Sequence, residues 1–274
     1  MTLKPDILDA VSSLKAKGEP FAVATVVRTV SLTAAKAGAK ATILADGTIS
    51  SGWIGGGCAR AAVVKAAKQA MADGKPRLIS VLPPDLLRDL GLEPGQTKEG
   101  IEFAKNMCPS QGSMDVFIEP VAPRPELVIF GASPVAIALA ELGGRLGFFT
   151  RVVAPVEDLP RFAAIADAAA MGLTSEAAAH PNCFAVVATQ GRGDEAALAA
   201  AMAAAATYVA FVGSRKKAAA LRAVLAQKGV TTERLADLRS PAGLDLGAVT
   251  PEEIALSILG EIVALRRRGQ RSAG

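Results

Sequence analysis

The chain has 274 residues, of which 51% are hydrophobic and 20% charged, with a formal net charge of +4 at pH 7. That length buries a substantial core in one large domain or two moderate ones, and the absence of any uninterrupted apolar run of about 18 residues excludes a spanning helix. Three separated cysteines without a CxxC pair, and a single histidine, His180, exclude a disulfide framework and a Cys/His zinc site, so a metal would arrive inside a cofactor.

The N-terminus, Met1-Thr2-Leu3-Lys4-Pro5-Asp6, lacks the charged-then-apolar pattern of a signal peptide, and a soluble, cytoplasmic protein is expected. Residues 4–17 read as an amphipathic helix and residues 20–29 as a Val- and Ala-rich strand. Strands over 38–44 and 48–51 follow, hinged by Asp46-Gly47, a hairpin signal. Directly after them comes Ser51-Gly52-Trp53-Ile54-Gly55-Gly56-Gly57-Cys58, ahead of an Ala-rich helix over 59–73 that ends at Gly74. Glycine lets the backbone approach a bound group closely, and a following helix start offers N–H donors to an anion or a thiolate. Gly55, Gly56 and Gly57 are therefore binding candidates and Cys58 a catalytic and metal-ligating one. A tight turn carrying a small buried cysteine is the alternative.

Residues 77–82 read as a strand stopped by Pro83-Pro84, and residues 85–111 as a loop or lid broken by Pro94-Gly95 and Cys108-Pro109. A strand over 114–119 then leads into a stiff connector at Pro120, Pro123 and Pro125, which sets the domain boundary between 1–122 and 126–274.

Beyond the connector, Leu127-Val128-Ile129-Phe130-Gly131 and a helical stretch over 134–146 open a βαβ unit. Further strands over 150–153, 184–188 and 208–212 alternate with helices over 194–206 and 216–227. The fold class is α/β: an N-terminal mixed α/β domain followed by a Rossmann-like domain with a parallel sheet. Gly131-Ala132-Ser133-Pro134-Val135-Ala136 departs from the dinucleotide fingerprint GxGxxG, since Ser133 replaces the second glycine. The next strand ends at Ala154, and the carboxylates of Glu157 and Asp158 come late for reading a ribose, which argues against an ordinary NAD dehydrogenase.

Two further loops stand at strand C-terminal ends, where open α/β sheets bind ligands: Thr189-Gln190-Gly191-Arg192-Gly193-Asp194 and Gly213-Ser214-Arg215-Lys216-Lys217. Gln190, Gly191, Gly213, Ser214 and Arg215 join Gly131 and Ser133 as candidates for a phosphate-bearing ligand, with a solvated helix start as the alternative. Asp194 reads as an N-cap, and Asp245, between Gly243 and Gly247, as either a ligand-orienting or a turn-forming residue. The last helix, over 251–268, begins with Thr250 as N-cap and Glu253 completing a capping box. Its basic end, Arg266-Arg267-Arg268, reads as a solvated helix terminus, and with one Tyr and one Trp no nucleic-acid partner is expected.

Together these segments resemble the XdhC/CoxI family, accessory proteins that mature molybdenum hydroxylases. The resemblance rests on Ala37-Gly38-Ala39-Lys40, Gly55-Gly56-Gly57-Cys58 and Val116-Phe117-Ile118-Glu119-Pro120 in the first half. In the second it rests on Ala188-Thr189-Gln190-Gly191, Phe211-Val212-Gly213-Ser214-Arg215, Pro241 to Gly247 and Thr250-Pro251-Glu252-Glu253. It implies a chaperone, rather than a turnover enzyme, that binds molybdenum cofactor as molybdopterin or molybdopterin cytosine dinucleotide. Such a protein assists sulfuration of the cofactor together with a cysteine desulfurase and delivers it to the apoenzyme of a xanthine dehydrogenase or carbon monoxide dehydrogenase. On this reading the thiolate of Cys58 contacts molybdenum or carries sulfur, Cys108 is a second thiol at the same cleft, Cys183 is inert, and a homodimer shields the pocket. Two rivals are a nucleotide- or flavin-dependent oxidoreductase using FAD or NAD(P), with Cys58 as a redox thiol, and a purely structural assembly partner.

Overall fold

The computed structural model describes residues 6–30, 33, 35–109, 111–170 and 182–271, without the side chains of 58 and 268–271; His180 lies outside the described residues. The chain divides into two compact units, Met1–Pro123 and Arg124–Gly274.

In the first unit, α1 (Ile7–Lys17) is capped by Asp6, whose side chain accepts the Leu8 N–H, and ends at Gly18 in the left-handed region. A seven-stranded sheet follows, in the order β3-β2-β1-β7-β4-β6-β5. Its strands are β1 (Phe21–Val30), β2 (Lys40–Leu44), β3 (Ile49–Gly52), β4 (Arg77–Leu82), β5 (Thr97–Lys98), β6 (Ile101–Lys105) and β7 (Ser113–Val121). All neighbours are antiparallel except β4 and β6. The turn at Asp46-Gly47 joins β2 to β3, with Asp46 accepting the Thr48 N–H at 2.7 Å. The helix α2 (Gly57–Asp73) lays Val63, Ala66, Ala67 and Ala70, a stripe at helical spacing, against Ala22, Ala24, Val26, Ile79, Val116 and Ile118. The small alanines let the helix sit close to the sheet.

The segment 85–111 is more structured than a loop or lid. Pro84 opens α3 (Pro84–Asp89), for which the fixed φ of proline suits the first turn, and β6 pairs in parallel with β4 from Leu78↔Ile101 to Leu82↔Lys105.

The second unit holds a six-stranded sheet in the order β10-β9-β8-β11-β12-β13, every pair parallel. Its strands are β8 (Glu126–Phe130), β9 (Phe149–Val153), β10 (Ala168–Ala170), β11 (Cys183–Val187), β12 (Tyr208–Phe211) and β13 (Leu238–Arg239). Alternate residues feed two cores. Leu127, Ile129, Phe184 and Val186 pack with α4 (Pro134–Arg145) and α8 (Pro251–Arg271) on one face. Val128, Phe130, Ala185 and Val187 pack with α5 (Asp194–Ala203) and α6 (Arg215–Gln227) on the other, which α7 (Thr232–Ala236) flanks. This is a doubly wound sheet with the strand order 3-2-1-4-5-6 of the Rossmann fold. The predicted capping box of the last helix forms: Glu253 Oε2 accepts the Thr250 N–H at 3.0 Å, and Thr250 Oγ1 accepts the Glu253 N–H at 3.3 Å. No helix among the described residues is long and apolar enough to cross a membrane.

Candidate functional site

A doubly wound sheet opens a crevice where the chain reverses its direction of travel across the strands, here between the C-terminal ends of β8 and β11. Gly131 follows β8 with φ +109°, and a Cβ on it would lie 2.6 Å from the Ala188 carbonyl oxygen and 2.7 Å from the Thr189 Cα. The residue is therefore glycine because two strand ends touch there. Around this contact lie two adjoining cavities that share Gly131, Pro155, Thr189 and Arg192. One, of about 200 Å³, is polar, with Ser133, Asp158, Arg161 and Gln190 in its wall. The other, of about 280 Å³, is apolar, walled by Phe130, Val153 and Ala154 and by Ala196, Ala197 and Ala200 of α5.

Asp158 lies in the wall of the polar cavity, on the 3-10 helix Val156–Phe162 that follows the end of β9. One carboxylate oxygen faces Arg161 Nη1 at 3.3 Å and the other Arg192 Nη1 at 3.2 Å. Arg161 Nη1 also donates to the Ala132 carbonyl oxygen at 2.9 Å, and Arg192 extends to Glu157 at 3.4 Å. Two guanidiniums thus frame a mostly buried carboxylate beside the loop that opens α4. The first turn of α4 offers few backbone donors: Pro134 has no N–H, the Ala136 N–H is capped by Ser133 Oγ at 3.2 Å, and the Ile137 N–H bonds the Ser133 carbonyl, which leaves Val135 in that turn. The donors for an anion here are arginine side chains more than helix amides.

The adjoining loop is held by Asp194. Gly193 is the N-cap of α5 and Asp194 its first residue, so the expected capping role falls one position earlier. The Asp194 carboxylate instead accepts the Gly191 N–H at 3.1 Å and the Thr189 hydroxyl and pairs with Lys217. Burial pushes this carboxyl up, but the Lys217 ammonium and the Thr189 and Gly191 donors together hold it below its ordinary value.

Of the residues singled out in the second half, Gly131, Ser133 and Gln190 line the polar cavity, and Gly191 is fixed beside it by Asp194. Gly213, Ser214 and Arg215 do not line either cavity. Ser214 caps α6 by accepting the Lys217 N–H at 3.3 Å, with Arg215 exposed behind it. Asp245 is exposed in a loop tied down by its neighbours: the Gly243 N–H donates to Glu261 Oε2 at 3.0 Å and the Leu244 N–H to the Ser257 carbonyl. Asp158, Arg161 and Arg192 line the polar cavity without being named as site residues from the sequence. There Asp158 reads only as a carboxylate too late for a ribose, Arg192 only as part of the loop from Thr189 to Asp194, and Arg161 carries no signal beyond its i,i+3 spacing to Asp158.

In the first unit, Gly56 caps α2 without a side-chain hydrogen bond, and no acidic residue occupies the first turn. Gly55, Gly56 and Gly57 thus present a bare helix start, in which Cys58 is the second residue; its side chain lies outside the described residues. A Cβ on Gly55 would touch Met114 at 3.7 Å, which puts the glycine loop at the sheet end where β4 and β6 terminate. The exposed Cys108 belongs to the turn at that same end, where the Asn106 N–H donates to the Leu82 carbonyl and Asn106 Oδ1 accepts the Cys108 N–H. Cys183 is fully buried in β11, and burial together with nearby Glu126 pushes its thiol up to about 12. No group of three or more His, Cys, Asp or Glu side chains that would hold a metal ion occurs among the described residues.

Two family models match the chain. Residues 127–262 match the XdhC Rossmann domain, and residues 14–81 match the XdhC and CoxI family. Uncharacterized protein YqeB of Escherichia coli (strain K12) is 30% identical over 268 residues, 95% of this chain and 46% of that protein. A probable xanthine dehydrogenase subunit of Bacillus subtilis (strain 168) is 30% identical over 161 residues, 56% of this chain and 47% of that protein. The chain thus spans about half the length of the curated relatives it matches. A crystal structure described as a xanthine dehydrogenase of Bacillus halodurans aligns with TM-score 0.47 and 20% identity, over 95% of this chain and 96% of that one. With both units matched in order, the chain belongs to the XdhC and CoxI family.

Proposed function

We propose that this protein is an accessory factor of a molybdenum hydroxylase, of xanthine dehydrogenase or carbon monoxide dehydrogenase type, and that its cargo is the molybdenum cofactor. The observation that carries the reading is the arginine-framed crevice at the switch point of a domain matching the XdhC Rossmann domain. The name of the Bacillus subtilis relative supports the choice of client class.

The residues of the second unit fit the organic end of such a cargo. Arg161 and Arg192 present charge-assisted donors for phosphate, with Ser133 and Gln190 beside them. They do not fit its metal end, since Cys183, the cysteine of this unit, is sealed in the core. A soft ligand is expected from the sequence at Cys58, the second residue of α2. When bound, the cargo supplies molybdenum for the client; this chain holds it, excludes water from it and releases it. Assistance in sulfuration with a cysteine desulfurase, delivery to the apoenzyme and pairing of two chains around the cargo belong to the same proposal.

The test is elemental analysis for molybdenum, with mass spectrometry of the released ligand, on protein purified from molybdate-replete cells and on protein titrated with isolated cofactor. Near-stoichiometric molybdenum with a pterin, lowered in Cys58→Ala and in Arg192→Ala, is expected. Failure to take up cofactor in both preparations overturns the reading. The second reading, an oxidoreductase using NAD(P) or FAD, is favoured by the 3-2-1-4-5-6 strand order. A stoichiometric flavin or nicotinamide that substrate reduces would establish it instead.

A further inference from the structure

The last helix, α8, turns one stripe inward: Ala255, Ile258, Leu259 and Ile262 are fully buried in the core that it shares with α4. At about 100° per residue the opposite face is apolar in its middle, with Leu256, Gly260, Val263 and Ala264. It is charged at its ends, with Glu252 and Glu253 before the apolar stretch and Arg267 after it. The outer face of a surface helix is ordinarily polar throughout. Here the apolar middle continues onto the loop that leads into the helix. The Leu244 N–H donates to the Ser257 carbonyl at 3.1 Å and the Val249 N–H to Glu253 Oε2 at 2.8 Å. Leu244, Leu246, Val249 and Leu256 are 44%, 59%, 82% and 56% exposed. They leave open roughly 400 Å² of apolar surface, about half of the ~800 Å² that each partner gives to a standard interface. A little more than half of such an interface is apolar, so the patch and its charged rim match one in composition.

Gly260 stands at the centre of this face. A glycine in a helix interior costs about 1 kcal/mol relative to alanine, so it calls for a reason. A Cβ there would meet Leu244 Cδ1 at 3.3 Å, the far end of a flexible side chain, and among the described residues nothing else within 4 Å apart from its chain neighbours and its own helix. Within the chain the glycine is thus only lightly crowded, whereas a second backbone approaching the face would use the missing side chain fully.

The charges decide what approaches. Glu253 and Arg267 stand seven residues either side of Gly260, about 10 Å in each direction along the axis. When two copies of α8 are laid antiparallel across a two-fold axis at Gly260, Glu253 of each copy faces Arg267 of the other. Leu256 then faces Ala264, a large side chain against a small one, and Gly260 meets Gly260. A parallel arrangement would set carboxylates on carboxylates and guanidiniums on guanidiniums. Arg266 is held below its ordinary value by burial and by the charge of Arg267 beside it, so a carboxylate arriving at that end offsets a local excess of positive charge.

We infer that the outer face of α8, with Leu244, Leu246 and Val249 beside it, is an interface between two copies of this chain, paired antiparallel about a two-fold axis at Gly260. The inference goes beyond the cofactor reading, which names a pair of chains but no surface, and the pairing is a property of the chain without cargo.

The test is sedimentation equilibrium of the full chain from cells grown without molybdate. Wild type is expected at twice the chain mass of 27.9 kDa. Leu256→Glu puts a charge at the centre of the patch on an exposed position and should raise the dimer Kd at least about tenfold. Arg267→Glu should raise it at low salt and have less effect at high salt. The arrangement is read by oxidative cross-linking of the double variant Leu256→Cys, Ala264→Cys. Those two positions lie about 12 Å apart along one helix, too far for a disulfide within a chain. A covalent dimer whose peptides join position 256 to position 264 is expected. A wild-type monomer at about 100 μM overturns the inference and leaves the face to the client enzyme. So does a folded Leu256→Glu that pairs as tightly as wild type, or a cross-link joining 256 to 256. If Leu256→Glu fails to fold, the cross-link alone decides. Molybdenum loading of wild type, read separately, distinguishes failure of this inference from failure of the cofactor reading.

Discussion

Asp194 accepts from Thr189 and Gly191 and pairs with Lys217, so one buried carboxylate fixes the loop that carries Gln190 and Arg192. Replacement by Asn leaves those donors and a cation facing a neutral amide, which should cost about 2–4 kcal/mol at pH 7. The sign with pH follows from the lowered folded value. The carboxylate contributes stability above its unfolded pKa of about 3.9, and that contribution is lost as pH falls through the folded value. Urea unfolding of wild type and Asp194→Asn should therefore differ fully at pH 6 and converge as pH drops below about 4. A difference that stays constant or grows on acidification would remove the assigned role. The cysteines make a second prediction. Cys183 is fully buried with its thiol pushed up to about 12, so it should escape alkylation by iodoacetamide at pH 8 until the protein is unfolded. Peptide mass spectrometry reads this directly, and rapid native labelling of Cys183 would mean that β11 opens.

At the scale of the element, the turn from β8 to α4 depends on one residue. Gly131→Ala meets both a positive φ and a carbonyl oxygen 2.6 Å away, so β8 and β11 must part for the methyl group to enter. A loss of about 3 kcal/mol is expected, read as a fall in Tm of about 6–12 °C. An unchanged Tm would show that the strand ends are not in contact. This glycine was visible in the sequence as the close of an apolar strand, as were β4, β7, β8, β11, β12 and the helices that carry a full apolar stripe. Less legible were elements whose reason for existing is a distant partner. Ile101 to Lys105 carries two charges, Glu102 and Lys105, and follows Gly100, and it becomes β6 because β4 offers it an edge to pair with. The strands β10 and β13 have three and two residues, too short for any period. The site follows the same division. Gly131, Ser133 and Gln190 stand next to strands and could be placed, whereas Asp158 and Arg161 enter the crevice through a 3-10 helix that the sequence does not announce.

The chain divides into two units, and among the described residues the core of the first draws on residues up to Ile118 and both cores of the second on residues from Leu127 onward. The anchors of the second unit's first strand also lie within that unit. Arg124 Nη2 pairs with Asp167 at 2.6 Å, the Phe149 N–H donates to the Pro125 carbonyl, and the Glu126 N–H donates to the Asn182 carbonyl. A fragment beginning at Arg124 keeps all three, and a unit of this size with a doubly wound sheet can bury enough surface to fold alone. The fragment 124–274 is therefore expected to unfold cooperatively in urea. Gly131→Ala should destabilise it by the same amount, within about 0.5 kcal/mol, as it destabilises the matching transition of the full chain, because the atoms that the added methyl group meets, in Ala188 and Thr189, belong to this unit. Agreement would make the crevice a property of the second unit alone, available for ligand studies without Cys58 and Cys108. A fragment that unfolds without cooperativity, or a Gly131→Ala cost that depends on the presence of residues 1–123, would show that the two units share stabilising contacts and that the crevice must be studied only in the intact protein.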